Sequence, residues 1–405
     1  MSKVSLVDKK ICTACGVCAF ICPTNSIYFK KDECDNIFPV INFTTCVSCG
    51  KCKMYCHEEQ AYIQKNEPKY AYVAWNNEST KRQRAASGGI ATAIYDYCLE
   101  KKYKTFGVSF SIDKGAYYKE IKTKKNLIEI QNSKYCYSRL ADIFYKVKEY
   151  IDAGEKVIIP ALPCQAAALI ALCGGRRENL TIIDIVCHGV CSYEYLRQHI
   201  EKIEKVKRSK VNRVYFRDPT EGTNNFVLSL YEGINSIYKA EVLTDDVYQL
   251  GYHKALIYRE NCYHCKYAQR KRVGDLTISD FTGIGRLKDY SGPKQSISCV
   301  LVSSEKGKEL LDDLVNAKLI TCQARPLEEA LVFEKQLNHP SIPHKNRKAF
   351  LDNYKKNKDF EISANLALKK EIFLYRSGLR TLKRKIKVHQ KKFLDRVVKS
   401  YERQK

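Results

Sequence analysis

Short apolar runs separated by polar, glycine-containing segments recur through the middle of the chain. AYVAW (71–75), TFGVSF (105–110) and the runs at 156–159 and 180–186 have the length and β-branched content of strands. Helical periodicity follows them. Ser87-Gly88-Gly89 opens one helix, and ADIFYKVKEYIDAG is amphipathic and ends in Gly154. Apolar or amphipathic helices also follow Pro163-Cys164-Gln165 and Cys187-His188-Gly189. Strand–loop–helix units in series predict an α/β body with a mainly parallel sheet, whose ligands bind at the carboxyl ends of the strands. Cys164 and Cys187 both fall at such ends. A further strand, DLTISDF, runs between Asp275, read as a turn residue, and Asp280, placed near the ligand face. From Ile362 onward glycine is rare and proline absent. Ile372, Tyr375, Leu379, Leu382, Ile386, Phe393 and Val397 recur at three- and four-residue steps, interrupted at Gly378, among many Lys and Arg. That pattern predicts a basic amphipathic helical tail.

Charge changes the picture only locally. The formal net charge is +25, but residues 345–405 alone hold 20 Lys/Arg against 6 Asp/Glu, which is +14. The body is therefore mildly basic, no nucleic-acid-binding motif accompanies the tail, and no nucleic-acid partner is expected. The tail is read first as packing on the body or on a second subunit, with peripheral contact to an acidic membrane surface as the alternative. The basic surface suits an acidic ferredoxin or flavodoxin as electron partner. No apolar stretch approaches the roughly 18 residues needed to span a bilayer, and no apolar leader precedes the first cysteines, so the expectation is a cytoplasmic protein.

Cysteine is the strongest chemical signal. Cys12, Cys15, Cys18 and Cys22 follow the spacing C-x2-C-x2-C-x3-C, and Cys46, Cys49, Cys52 and Cys56 repeat it with a constant offset of 34 residues. Zinc sites normally pair ligands across a longer loop. Three thiolates within seven residues instead wrap an iron–sulfur cubane, and the fourth cysteine serves the opposite cluster. The duplication therefore predicts an α+β ferredoxin-like module over 1–66. Cys12, Cys15, Cys18 and Cys56 hold one [4Fe–4S] cluster, and Cys46, Cys49, Cys52 and Cys22 the other. His57 stands where the first copy has Pro23. In the body, Cys262 and Cys265 form a C-x2-C that completes four thiolates with Cys164 and Cys187, a candidate third [4Fe–4S] site. Cys191 is the rival ligand. Cys34, Cys98, Cys136, Cys173, Cys299 and Cys322 stand alone and read as buried small hydrophobes.

The ordered segments ASGGIAT, SKYCYS, PALPCQAAAL, DIVCHGVCS, RENCYHC and GDLTISDFTG resemble the beta subunit of coenzyme F420 hydrogenase/dehydrogenase, over roughly residues 70–340. Ala161-Leu162 and Thr282 depart from the usual pattern. The resemblance divides the body into 68–153 and 154–344, with the tail at 345–405. It implies FAD beside the third cluster, with Ser87, Gly88 and Gly89 at the flavin phosphates and Lys134 and Ser138 near the flavin. Lys134, His188 and Asp280 become the candidate catalytic residues, His188 as a proton relay or a partner to a cluster sulfur. The expected activity is an iron–sulfur flavoprotein oxidoreductase linking the clusters to FAD and a small organic acceptor, such as a glycan precursor. The alternative is an electron-transfer subunit of a larger complex, F420 oxidation or reduction included.

Overall fold

Strands covered on both faces need mostly apolar side chains throughout, and VIIPA and SCVLV, buried at every residue, are apolar apart from Ser298. In the computed structural model, which describes residues 4–60, 63–242 and 244–377, these runs lie inside a large sheet. The strands in chain order are β1 Ile27–Lys31, β2 Ile37–Ile41, β3 Tyr70–Asn76, β4 Lys104–Ser111, β5 Gly115–Glu120, β6 Ser138–Arg139, β7 Val157–Ala161 and β8 Leu180–Ile185. They continue as β9 Arg213–Tyr215, β10 Leu228–Glu232, β11 Asn235–Ala240, β12 Leu276–Asp280, β13 Ser298–Val302 and β14 Ile320–Arg325. Nine of them form one sheet in the order β14-β3-β13-β12-β8-β7-β4-β5-β6.

The sheet is mixed, so the expected parallel arrangement holds at its centre and gives way to antiparallel pairing beside it. Its centre, β12-β8-β7-β4, is parallel. On one side β13, β3 and β14 pair antiparallel, and on the other β5 runs antiparallel to β4. The physical reason is that β3, the first body strand, inserts between the two last ones, β13 and β14, rather than beginning a parallel series. Pro160 lies in central β7, where a missing N–H would break a ladder. It is tolerated because β4 pairs with β7 only at Val157 and Ile158 and has diverged before Pro160.

Alternation along the central strands sends side chains to two cores. Val157, Ile159, Leu180 and Ile182 pack with the helices Phe144–Asp152 and Pro163–Leu172. Ile158, Ile183, Leu276 and Val300 pack on the opposite face with Ile90–Glu100 and Glu305–Asn316. The sheet is thus covered on both sides, which leaves its strand ends as the place for a site.

The N-terminal module is the β1–β2 hairpin with two short helices, Val17–Phe20 and Lys51–Met54. The duplication extends to the backbone. Ala14 and Ser48 have φ of 56° and 53°, and Gly16 and Gly50, which open the two helices, have φ of 96° and 73°. Each pair sits 34 residues apart, so both loops turn their thiols by the same left-handed steps. The module is fastened to the body by many polar contacts. The Tyr195 hydroxyl donates to the Cys34 carbonyl at 2.9 Å, Tyr137 to the Ala14 carbonyl at 2.6 Å, and Arg259 to the Ile37 carbonyl at 3.1 Å.

The first part of the basic tail, Arg347–Asn357 and Phe360–Arg376, forms two helices on the body. Phe350, Tyr354, Phe360, Ala364, Leu368 and Ile372 are buried against Tyr195 and Tyr248, and Tyr375 packs at the margin. This agrees with the reading of the tail as packing on the body. The expectations at Leu379, Leu382, Ile386, Phe393 and Val397 lie outside the described residues. No helix among the described residues is long and apolar enough to cross a membrane.

Candidate iron–sulfur centres and the strand-end cleft

The N-terminal cysteines surround two adjoining cavities. One, of about 460 Å³ including space open to solvent, is lined by Cys12, Cys15, Cys18, Cys52 and Cys56. The second, about 320 Å³, is lined by Cys22, Cys46, Cys49 and Cys52. The crosswise exchange of the fourth cysteine is what the spacing predicts. Burial, together with the neighbouring Cys12 and Cys56, pushes the Cys15 thiol up to about 12, and burial and Cys12 push Cys56 to about 11. Cys22 lies at the outer cavity, where the Ser26 N–H donates to its sulfur at 3.3 Å.

The body places its four thiols together from three separate segments. Cys164 follows β7, Cys187 follows β8, and Cys262 and Cys265 come from the loop before β12. Burial raises the Cys164 thiol well above its usual range, and Cys265, Cys187 and Cys262 add to it in that order. Cys187 is raised by burial, Cys262 and Cys265. Four thiols crowded away from water are each costly to ionise alone, and a shared cationic core relieves that cost. Among the described residues no three His, Cys, Asp or Glu side chains come close enough to hold a single metal ion. The doubled N-terminal spacing and the gathering of four body thiols match the donor chemistry of a polynuclear iron–sulfur group.

Cys191, the rival ligand, is turned away: its thiol donates to the Tyr135 carbonyl at 3.3 Å and lies 3.5 Å from the Tyr248 hydroxyl. Of the lone cysteines, Cys34, Cys98, Cys136, Cys173 and Cys299 are buried and Cys322 is half-buried.

Two polar networks hold the body set. The Gln165 amide donates to the Ser138 carbonyl at 3.0 Å and to its hydroxyl at 3.1 Å, while its oxygen accepts from Tyr118 at 2.9 Å and from the Leu162 N–H at 3.3 Å. That fixes the first turn of the helix Pro163–Leu172, which carries Cys164. On the other side Arg272 and Asp184, at most 1% exposed, pair at 3.2 Å. Arg272 also donates to the Tyr267 and Gln269 carbonyls at 3.2 and 3.1 Å, and Asp184 accepts from the Val273 and Gly274 N–H groups. This pair ties the loop after Cys265 to β8.

The residues expected at a flavin have other employment. Ser87 donates to the Ile297 carbonyl at 2.6 Å, and the Gly88 N–H donates to the Ser298 hydroxyl at 2.9 Å. A Cβ at Gly88 would lie 2.5 Å from the Ala74 carbonyl oxygen, so this glycine serves close packing of the loop against β3 and β13. Gly89, with φ of 81°, precedes the helix Ile90–Glu100 as anticipated. Lys134 is half-buried and caps the helix Lys124–Ile130, donating to the carbonyls of Ile130, Gln131 and Asn132 at 2.7, 2.7 and 3.2 Å. Burial brings its ammonium down to about 7. Ser138 serves Gln165. As placed, these side chains do not present free donors to a flavin.

His188 and Asp280 lie at the strand ends. His188 is exposed at the strand ends, beside Glu334, Asp280 and Arg217. Asp280 is paired with Arg217, at 2.9 Å through Oδ2 and 3.3 Å through Oδ1. Arg217 also donates to the Tyr135 hydroxyl and the Ala86 carbonyl and stacks on Phe226 at 3.8 Å. It thus joins the Ser87 loop, the Lys134–Ser138 segment and β12 in one cleft. Sequence reasoning missed it, because FRDPT reads as an ordinary turn. Nearby, His253 has a buried Nε2 with no hydrogen-bond partner, and burial, His188 and Arg217 hold its pKa near 4. Asp275 accepts from the Ile182 N–H and from Ser304, a structural role consistent with a turn residue.

Comparison with known proteins follows the same division. Residues 6–28 match a 4Fe-4S binding domain. Residues 71–144 match the N-terminal part, and 154–327 the C-terminal part, of the coenzyme F420 hydrogenase/dehydrogenase beta subunit, more than half of the chain together. Among curated proteins none matches. A chain from the xenon-derivatised F420-reducing [NiFe] hydrogenase complex of Methanosarcina barkeri is 16% identical, with 75% of this chain and 93% of that one covered at a TM-score of 0.41. On the two family matches this chain belongs to the coenzyme F420 hydrogenase/dehydrogenase beta subunit family, an oxidoreductase family, and it carries a 4Fe-4S binding domain at its N-terminus.

Proposed function

We propose that this chain is an iron–sulfur electron-transfer subunit with three [4Fe–4S] clusters, working with a partner protein that supplies or takes the electrons. The outer set is Cys22, Cys46, Cys49 and Cys52, the middle set Cys12, Cys15, Cys18 and Cys56, and the inner set Cys164, Cys187, Cys262 and Cys265. The observation that carries this reading is the convergence of the inner four thiols from three distant segments beside the middle set. Such clusters, when bound, supply one-electron transfer. The chain's own residues fix the thiols, keep water from the inner set, and hold Arg217, Asp280 and His188 at the strand ends, where a small-molecule acceptor would sit.

Three finer points belong to the same proposal. An acidic ferredoxin or flavodoxin suits the basic body as partner. FAD in the strand-end cleft would require Ser87 and Lys134 to release the carbonyls they now hold. The acceptor's chemistry, whether F420-type or another organic molecule, is set by the cleft around His253 and Arg217.

Anaerobic titration with a calibrated reductant tests this. About three one-electron equivalents per chain support the reading, and a bound flavin adds two more. Uptake of two equivalents or fewer overturns it.

A further inference from the structure

Pro23 and His57 occupy equivalent places in the duplicated cysteine motif, yet only His57 is buried, at 1% exposed. Its ring joins two of the thiolate sets. Nε2 lies 2.9 Å from the hydroxyl of Thr13, the residue after Cys12, and Nδ1 lies 2.6 Å from the hydroxyl of Tyr267, two residues after Cys265. The backbone is clamped at the same point. Lys266 donates to the His57 and Glu58 carbonyls at 2.8 and 3.0 Å and pairs with the Glu58 carboxylate at 3.2 Å. Cys15, Cys164 and Cys265 pack into one apolar cluster with the Tyr267 ring. No cysteine of the outer set, Cys22, Cys46, Cys49 or Cys52, appears in that cluster.

We propose that His57 and Tyr267 are positioning residues that lock the middle thiolate set against the inner one and form the junction between them. This rests on the three-cluster reading above and adds what that reading leaves open: which N-terminal set is coupled to the body, and through which residues. The exchange across the junction is of one electron. One set's group loses it as the other's gains it, with no bond broken and no proton moved. The physical case is that a buried, doubly hydrogen-bonded ring fixes separation and orientation where apolar packing alone would leave slack, and outer-shell partners of this kind tune the groups they support. A proline at residue 57 could make neither side-chain hydrogen bond. The duplication therefore departs from its own pattern at a residue that bonds directly to the body.

The full chain, prepared anaerobically, tests this through Tyr267→Phe, His57→Phe and His57→Asn, since an Asn amide can still reach one of the two hydroxyls. Iron and sulfide content is measured with each. The readouts are the magnetic interaction between the middle and inner sets by EPR, and the arrival of electrons at the inner set by rapid freeze–quench with substoichiometric reductant. Tyr267→Phe and His57→Phe are expected to keep full iron, weaken the interaction, and slow arrival roughly tenfold. His57→Asn is expected to recover part of both. Full iron with unchanged interaction and rate in Tyr267→Phe overturns the junction. So does loss of the inner iron in both the Phe and Asn variants, which would make the pair a loop prop only. If the unaltered chain lacks the inner cluster, the three-cluster reading falls instead, and the junction with it.

Discussion

The N-terminal thiolates and the inner body thiolates solve the same problem in opposite ways. Each N-terminal set draws three cysteines from one loop of seven residues, shaped by left-handed backbone at Ala14 and Gly16 or at Ser48 and Gly50. The middle set also packs on the body, whereas in the outer set Cys49 is exposed. The inner set spans about a hundred residues of chain and is assembled by the sheet. β7 and β8 deliver Cys164 and Cys187, and the buried networks of Gln165 and of Arg272 with Asp184 hold the loops. A short loop can be organised by the group it binds, since metal binding and local folding are linked. A set gathered from distant strands has to be organised first by the fold.

This contrast predicts different responses to damage. The largest effect is expected from Arg272→Ala, which leaves the Asp184 carboxylate buried without its charge partner. Removing one member of such a pair costs about 3–5 kcal/mol. Chemical denaturation should register that loss, and iron should fall by about a third while the N-terminal clusters persist. Unaltered stability would show that the inner loops do not depend on the pair. Gln165→Leu is expected to cost less, about 1–3 kcal/mol, because Tyr118, Ser138 and the Leu162 N–H lose a partner without any charge being stranded. Cys46→Ser should cost little stability of the body and remove one N-terminal cluster, read as a loss of about four irons with an unchanged thermal transition of the sheet.

The smallest effect is one of pH, at the far side of the body. His199 is buried between Asp246, 2.9 Å from Nε2, and Glu361 of the helix Phe360–Arg376, 2.5 Å from Nδ1. Burial opposes its charge, yet the two carboxylates overcome this and raise it from 6.5 to about 9. A raised value means that the ring's contribution is complete below pH 6.5 and is lost as pH climbs through about 9. Asp246 and Glu361 are held low, so their contributions are lost only in acid. Protection factors in residues 360–376, with the base-catalysed intrinsic exchange rate divided out at each pH, should therefore be higher at pH 6.5 than at pH 9.5. His199→Gln should erase the difference. An equal difference in the variant would place the pH sensitivity elsewhere.

Much of this was legible in the chain itself, for reasons that vary by region. The N-terminal ligands were readable because the spacing is local and doubled. The four inner cysteines were readable only as a set, from strand ends and family resemblance, since no local rule links Cys164 to Cys265. The rejection of Cys191 was not readable, because it depends on a hydrogen bond to Tyr135. The mixed sheet escaped because strand pattern does not state partners: AYVAW looks the same at the start of a parallel series as it does between two late antiparallel strands. The family resemblance alone places Lys134 near a flavin, and the structure spends its ammonium on a helix end. Arg217 was passed over because a short strand and a turn hide a guanidinium that three distant segments share.

Counting iron and sulfide per chain in anaerobically purified full-length protein tests the central claim most directly. The account predicts about twelve of each. A firm value of about eight, with the protein folded, would leave Cys164, Cys187, Cys262 and Cys265 without a cluster and contradict it.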